Sequence, residues 1–331
     1  MPRPSPTRLI SILIVLILLA FFASLSLGAS QLSWPALLRG DALAETIFWQ
    51  LRLPRSLLAI AVGCMLAMSG CAMQGLFRNA LADPSLIGVN AGASLGASLS
   101  IFFSASLSTL GLIGSTAIGA CLGASIAIFA IYRIAKHDNY INVTTMLLAG
   151  MALSALAAGL NQLLQFFSSD QVLRQMSLWH MGKLSGANWL SANIAIAVAI
   201  FSSVIIFTQA NVLNAFLLGE SEARHLGFNV ERKKNLLIII VAIACGTSLA
   251  LCGSIIFIGL IVPHLCRLLV GPGHRLLLPV SAIIGALLML TADTLARLAM
   301  QPSELPVGLL IAFIGAPFFL LLLRRQPSYG Y

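Results

Sequence analysis

Ten apolar stretches, each about twenty residues long, recur along the chain and constrain what it can fold into. A helix that spans a bilayer needs about 20 mostly apolar residues. Only 9% of the residues are charged, whereas soluble domains are about 25% charged. The stretches lie near 9–28, 57–76, 86–105, 111–132, 146–166, 192–211, 236–252, 254–270, 276–295 and 305–323. We therefore expect an all-α, polytopic membrane protein with about ten transmembrane helices, in which residues 1–331 form a single domain.

The first stretch, "LISILIVLILLAFFASLSLG", follows Arg3 and Arg8 and has two interpretations. It is either a secretory signal or a helix that the protein retains. The apolar core of a signal peptide is about 7–15 residues long, and this run is longer. The sequence therefore favours a retained first helix.

The distribution of Lys and Arg predicts the orientation of the chain. Ten spans put both termini on one side, and Lys and Arg concentrate in cytoplasmic loops. With the N-terminus inside, thirteen of the 19 Lys and Arg residues are cytoplasmic and six are external. Both termini are therefore expected in the cytoplasm. The same bias explains the formal charge of +9 without a nucleic acid partner.

The stretch "GESEARHLGFNVERKK", residues 219–234, is far more polar than its surroundings. Gly227 divides it into "ESEARHL" and "FNVERKK", a pattern typical of a short helix, a turn and a basic entry to the next span. In the predicted orientation the stretch is a cytoplasmic loop. It is either a solvated anchor that fixes the topology or a surface for a soluble partner.

Motifs for enzymatic chemistry are weak in this sequence. The stretch "GASLG" matches the G-x-S-x-G nucleophile pattern at Ser94, but that pattern needs a strand-to-helix turn, and here it lies in an apolar helical run. An intramembrane hydrolase is therefore an unfavoured alternative. The sequence has no GxxxxGK[ST] and no HExxH, the motifs of a P-loop and of one class of zinc site. We expect no catalytic residue and no metal site.

Asp293 is the only acidic residue that lies within a predicted stretch, and Arg52, Arg55 and Arg297 are the basic residues that matter at the predicted outer side. Asp293 lies within the ninth stretch, four positions before Arg297. It is either the proton relay of a secondary transporter or half of an ion pair at the helix end. Arg52 and Arg55 precede the second stretch on the predicted outer side. They either snorkel at the interface or offer paired donors to a partner's carboxylates.

Four long segments, in this order and spacing, resemble one family of membrane proteins. They are "RLPRSLLAIAVGCMLAMSGCAMQGLFRNALADPSLIGVNAGAS" (52–94), "LGESEARHLGFNVERKK" (218–234), "GSIIFIGLIVPHLCRLLVGPGHRLLLP" (253–279) and "ADTLARLAMQPSELPVGLLIAFIGAPFFLLLL" (292–323). Over about 45–325 the chain resembles the FecCD-type permeases of type II ABC importers for cobalamin, iron siderophores and haem. The resemblance implies a bacterial inner-membrane permease that pairs as a homodimer, or with a related chain, and works with two cytoplasmic ATPase subunits and a periplasmic substrate-binding protein. It also implies that ATP and Mg bind the ATPase, and that no cofactor is bound permanently here.

The resemblance also implies roles for particular residues. Segment 212–235 matches the family's coupling loop. The residues expected to dock on the ATPase are Glu220, Ser221, Glu222, Ala223, Arg224, His225, Leu226 and Gly227. Arg52, Arg55 and Arg297 match arginines that meet acidic residues of the binding protein. Thr144 and Thr145, in "NVTTMLLAG", fall at the family's cytoplasmic gate.

The substrate within this family is predicted from two short segments. "SGCAMQGLFRN" and "LWHMGKLSGANW" resemble the haem-importing branch most, so haem ranks before siderophores and cobalamin. His180 and Met181 belong to residue types that ligate haem iron. The alternative is that His180 only forms an interfacial pair with its neighbour Trp179.

Overall fold

The computed structural model describes residues 5–28, 33–84, 88–104, 112–137, 140–141, 143–301 and 303–325. Its helices are α1 (Pro6–Ser26), α2 (Trp34–Leu38), α3 (Ala42–Glu45), α4 (Leu53–Leu76), α5 (Val89–Ser104), α6 (Leu112–Ala135), α7 (Val143–Phe166), α8 (Asp170–His180), α9 (Trp189–Thr208), α10 (Ala210–Leu218), α11 (Glu220–His225), α12 (Val230–Cys252), α13 (Ile258–Val270), α14 (His274–Ala299) and α15 (Val307–Arg325). A π-helical segment (Thr46–Arg52) and an antiparallel pair of two-residue strands, β1 (Lys136–His137) and β2 (Tyr140–Ile141), are also present. The expected all-α class is confirmed.

Every predicted apolar stretch coincides with a helix. In chain order these helices are α1, α4, α5, α6, α7, α9, α12, α13, α14 and α15. Seven helical segments in the described residues are long and apolar enough to cross a membrane, and the apolar parts of α5, α13 and α15 are shorter. The helices are therefore confirmed, whereas the number and direction of the crossings stay predictions.

The eighth predicted stretch begins four residues too early. We expected a helix from residue 254, but α13 begins at Ile258. Gly253 and Phe257 have φ values of 73° and 72°, so the backbone between α12 and α13 leaves the helical region. The residues in this break continue the apolar run, which is why hydropathy did not reveal it.

The segment Ala42–Leu76 forms the centre of the protein, and 83% of an apolar 18-residue stretch within it is buried. It contains α3, the π-helical segment and α4, and α4 packs on α9, α12, α13 and α14. Pro54 has no N–H to donate to the preceding turn, and immediately before it the N–H of Leu53 reaches the carbonyl of Phe48, five residues back. This wider turn ends at Arg52, one of the predicted site residues.

Pairs of glycines allow the closest helix contacts. A Cβ atom on Gly63 of α4 would collide with the carbonyl of Gly285 of α14. The same is true of Gly92 on α5 against Gly123 on α6. Small residues let backbones approach in lipid, where packing replaces the hydrophobic effect between helices. These contacts hold α4, α5 and their neighbours around the sites described below.

Candidate functional site

The polar stretch folds as the short helix α11 between α10 and α12, as its pattern predicted. Gly219, with a φ of 123°, separates α10 from α11. At the other end Gly227 has a φ of 86°, its N–H donates to the Arg224 carbonyl, and the N–H of Phe228 donates to the Ala223 carbonyl. These two bonds form a Schellman motif. The turn that ends α11 is therefore built into the sequence by one glycine.

Two ion pairs connect α11 to α12. Nζ of Lys234 lies 2.6 Å from Oε1 of Glu220, and Nη2 of Arg224 lies 3.5 Å from Oε1 of Glu231. The Lys234 side chain is 4% exposed, whereas that of Arg224 is 61% exposed. Exposed pairs contribute little because water and salt screen them. The Lys234–Glu220 pair is therefore the stronger connection.

Polar contacts also attach α10 to two long helices. Oδ1 of Asn214 accepts a hydrogen bond from the backbone N–H of His274, the first residue of α14, at 2.8 Å. Nζ of Lys233, in the first turn of α12, donates to Oε1 of Gln209 at 2.8 Å. Because Gln209 directly precedes α10, the α10–α11 unit is hydrogen-bonded to both α12 and α14.

The exposed face of α11 is mixed in character. Its exposed residues are Ser221, Glu222, Arg224, His225, Leu226 and Gly227. Glu220 is partly exposed and bonded to Lys234, and Ala223 is buried. Of the eight predicted docking residues, these last two therefore position the helix, and the other six form its outer surface.

Arg55 binds two carboxylates at once. Its Nε and Nη2 atoms donate to Asp293 at 2.8 to 3.0 Å, and its Nη1 atom donates to Glu304 at 2.9 and 3.0 Å. Asp293 is fully buried, and Arg297 Nε lies 3.3 Å from its Oδ2 atom, although that N–H makes no hydrogen bond with any described residue. The expected Asp293–Arg297 pair exists, but Arg55 is the closer partner. These ion pairs account for a buried carboxylate at this position without a proton relay.

Arg52 and Arg297 bind the C-terminal end of α1. Nη1 of Arg52 donates to the Leu25 carbonyl at 2.5 Å, and Nη2 of Arg297 donates to the carbonyl and hydroxyl of Ser24 at 3.1 and 2.9 Å. The last carbonyls of a helix lack intrahelical partners and carry partial negative charge. Both arginines are 4% exposed, so the two cations also stabilise a buried helix end.

The three predicted docking arginines therefore lie in one cluster. Three guanidinium groups against the carboxylates of Asp293 and Glu304 leave one net positive charge. Arg52, Arg55 and Arg297 all use donors on groups of their own chain, so the cluster is not a row of free surface cations. Glu304, with a side chain that is 33% exposed, is more open to solvent than Arg55 or Asp293.

The remaining predicted residues lie apart from this cluster. Thr144 and Thr145 are in the first turn of α7, and Thr144 is exposed. Ser94 lies within α5 and accepts a hydrogen bond from Nδ2 of Asn161 at 2.8 Å, so it lacks the strand-to-helix turn of a hydrolase nucleophile. Among the residues that the structure describes, no group of three or more His, Cys, Asp and Glu side chains is placed to hold a metal ion.

A profile of the FecCD transport family matches residues 15–325, nearly the whole chain. The chain belongs to the FecCD transport family. This confirms the family that the four sequence segments indicated. As a FecCD protein it is an integral membrane permease, the transport component of an ABC importer of the metal-chelate, haem and cobalamin type.

Curated FecCD relatives cover almost the same length. The hemin transport system permease protein HmuU of Yersinia pestis is 43% identical over 327 residues, which are 98% of this chain and 97% of HmuU. The cobalamin import system permease protein BtuC of Halobacterium salinarum is 40% identical over 89% of this chain and 80% of its own. The vitamin B12 import system permease protein BtuC of Citrobacter koseri is 40% identical over 96% of this chain and 94% of its own.

Solved structures share the FecCD fold. One, described as an inward-facing conformation of an ABC transporter of the metal-chelate type, superposes with a TM-score of 0.87 at 33% identity, over 97% of this chain and all of the other. PsaBC from Streptococcus pneumoniae, in complex with Fab, gives a TM-score of 0.57 at 18% identity, over 88% of this chain and 97% of its own. This second likeness concerns the fold alone.

Proposed function

We propose that this permease imports haem across the inner membrane of a bacterium by ATP-driven alternating access. The observation that supports haem as the substrate is the 43% identity to HmuU over nearly the full length of both chains. The BtuC relatives, at 40% identity, make cobalamin the second candidate. Ferric siderophores are a third candidate within the same family.

The proposed assembly contains two copies of this chain, two cytoplasmic ATPase subunits and one periplasmic substrate-binding protein. Each copy contributes residues 1–331 as one permease domain with both termini in the cytoplasm. The ATPase subunits bind ATP and Mg, so the permease holds no permanent cofactor and catalyses no covalent step. Family membership and the lack of a P-loop in this sequence support this division of labour.

In this proposal α11, Leu226 and Gly227 dock on the ATPase, while Glu220 and Ala223 hold α11 in position. Closure of the ATPase then displaces α11, and Lys234 passes that displacement to α12. The bond between Asn214 and His274 carries it to α14. Packed helices with two discrete arrangements convert such small shifts into opening or closing of a path.

In the same proposal, the cluster of Arg52, Arg55 and Arg297, called the outer cluster below, is the site where the binding protein docks. Arg52, Arg55 and Arg297 give this end of the permease a net positive charge, which suits acidic groups on a partner. Charge complementarity of this kind mainly speeds encounter and sets specificity. Thr144 and Thr145 narrow the cytoplasmic end of the path, and the exposure of Thr144 supports a place on an accessible surface.

The experiment that tests this function measures ATP hydrolysis and uptake together in proteoliposomes. The permease and its ATPase are titrated with binding protein loaded with haem, a ferric siderophore or cobalamin. We expect haem-loaded protein to stimulate hydrolysis and only haem to accumulate. If a different ligand stimulated hydrolysis and accumulated, that ligand would be the cargo and haem would not. Uptake without an ATPase would instead contradict the ABC mechanism and favour a proton-coupled transporter.

A further inference from the structure

A cavity of about 850 Å³ is lined by residues of α5, α7 and α8 together with Met181. Its polar residues include Asn90, Ser94, Asn161, Gln162, Gln165 and His180. A second cavity, of about 470 Å³ between α6 and α12, is lined mostly by apolar side chains. Polar side chains inside a membrane protein are costly and usually mark the path of a ligand. The first cavity is therefore the stronger candidate for contact with a cargo.

Three buried polar atoms of this cavity's residues have no hydrogen-bond partner in the described structure. They are Oδ1 of Asn90, Oδ1 of Asn161 and Nε2 of His180. Asn161 is 7% exposed, and its Nδ2 atom already donates to Ser94. A buried polar atom without a partner costs free energy. Rotating the Asn161 amide by half a turn would let its oxygen accept from the Ser94 hydroxyl and would free its NH2 group to donate to a ligand in the cavity.

The turn that follows α8 is fixed by backbone bonds to two other segments. The N–H of Lys183 donates to the Cys252 carbonyl at 2.7 Å, and the N–H of Gly308 donates to the Gly182 carbonyl at 3.3 Å. A Cβ atom on Gly308 would collide with the carbonyl of Met181, so backbone packs on backbone here. This turn therefore holds the adjoining cavity residues in a preset position.

His180 and Met181 are adjacent, and both line the cavity. The Nε2 atom of His180 has no hydrogen-bond partner in the described structure, so this ring nitrogen is not committed to another side chain. The Trp179 ring packs edge-on against His180 with a centroid separation of 5.6 Å. Imidazole and thioether are ligands that hold iron in haem proteins.

We propose that His180 and Met181 form a transit contact for the iron of a haem cargo, with the amides of Asn161 and Gln165 facing its carboxylates. This inference rests on the proposed function, because it takes haem as the cargo. Amide groups donate hydrogen bonds to carboxylates, and Asn161 can present either end because the Ser94 hydroxyl both donates and accepts. Transport requires a contact weak enough to release its cargo, which one His–Met pair on an open cavity satisfies.

The test is a titration of the full-length permease, with its ATPase, in lipid nanodiscs. Ferric haem and iron-free protoporphyrin are added in parallel, and their absorption spectra are recorded. His180→Ala should weaken haem binding about tenfold or more and leave protoporphyrin binding unchanged, because only haem offers iron to an imidazole. His264→Ala, in α13 and outside this cavity, is the matched control and should retain the wild-type haem titration.

Two further variants keep the result interpretable. His180→Met retains a haem-ligating side chain and should restore binding with a shifted spectrum, and Met181→Leu should weaken haem binding with little change in volume. Identical haem titrations for wild type, His180→Ala and Met181→Leu would overturn the contact. If these titrations were identical and the permease still imported haem, the contact would be refuted and the proposed function would not. A wild-type permease that neither transports haem nor responds to haem-loaded binding protein would instead refute the function itself.

Discussion

The Nζ atom of Lys234 lies 2.6 Å from the Oε1 atom of Glu220, and this contact joins the start of α11 to the second turn of α12. The Lys234 side chain is 4% exposed, and that of Glu220 is 37% exposed. A buried ammonium group is costly unless it is paired. The pair therefore makes the position of α11 depend on α12, and the reverse.

Glu220→Gln should both destabilise and uncouple the permease. The substitution leaves the Lys234 ammonium without its carboxylate. We expect a loss of about 2 kcal/mol, below the roughly 3–5 kcal/mol of a fully buried pair, because Glu220 is partly exposed. Thermal unfolding measures the stability, and binding-protein-stimulated ATP hydrolysis measures the coupling. Glu222→Gln, on the exposed side of α11, is the stability control. If Glu220→Gln unfolded at the same temperature as wild type and the control, the pair would have no role in stability.

Arg224→Ala separates docking on the ATPase from the positioning of α11. The Arg224 side chain is 61% exposed and its ion pair with Glu231 is long, at 3.5 Å, so its loss should change stability by no more than about 0.5 kcal/mol. We expect stimulated ATP hydrolysis and haem uptake to fall together while the unfolding temperature stays the same. Replacing Glu220 and Arg224 together should abolish coupling in a permease that still folds. Normal stimulated hydrolysis in the double variant would refute the docking assignment.

Asp293→Asn distinguishes a structural ion pair from a proton relay. The substitution leaves the buried donors of Arg55 and Arg297 without their shared carboxylate, so stability should fall by about 3–5 kcal/mol. Uptake by the folded fraction should continue and should still require the ATPase. The measurement is unfolding temperature alongside uptake per folded permease, with Asp41→Asn on the exposed start of α3 as the control. A stable variant that has lost uptake would favour the relay.

The helices could be predicted from the sequence because each apolar stretch carries its own signal. Segment 219–234 was predictable for a similar reason, since Gly227 and the charge run act locally. The break at 253–257 was missed because positive φ values at Gly253 and Phe257 do not change hydropathy. Local chemistry therefore predicted the elements but not every boundary.

The partners within the candidate sites could not be predicted from the sequence. Arg55 lies 238 positions from Asp293 and 249 from Glu304, and no periodicity connects residues at such separations. Family resemblance named Arg55 as a docking residue but gave no reason to link it with Glu304. The cavity atoms of Asn90 and Asn161 were missed for the same reason, since α5 and α7 each show only a single asparagine, with no sign of its partners.

Glu304→Gln tests whether the outer cluster is where the binding protein docks. Glu304 occupies Nη1 of Arg55 and is partly exposed, so a partner's carboxylate would compete with it for that donor. Removing its charge should strengthen docking of the binding protein, and Arg55→Ala should weaken it. The effects should be largest at low ionic strength, because salt screens exposed charges. Affinity is measured between permease in nanodiscs and loaded binding protein at two salt concentrations. Equal affinities of wild type and Glu304→Gln at low salt would show that Glu304 does not compete, and unchanged binding by Arg55→Ala would move the docking site elsewhere.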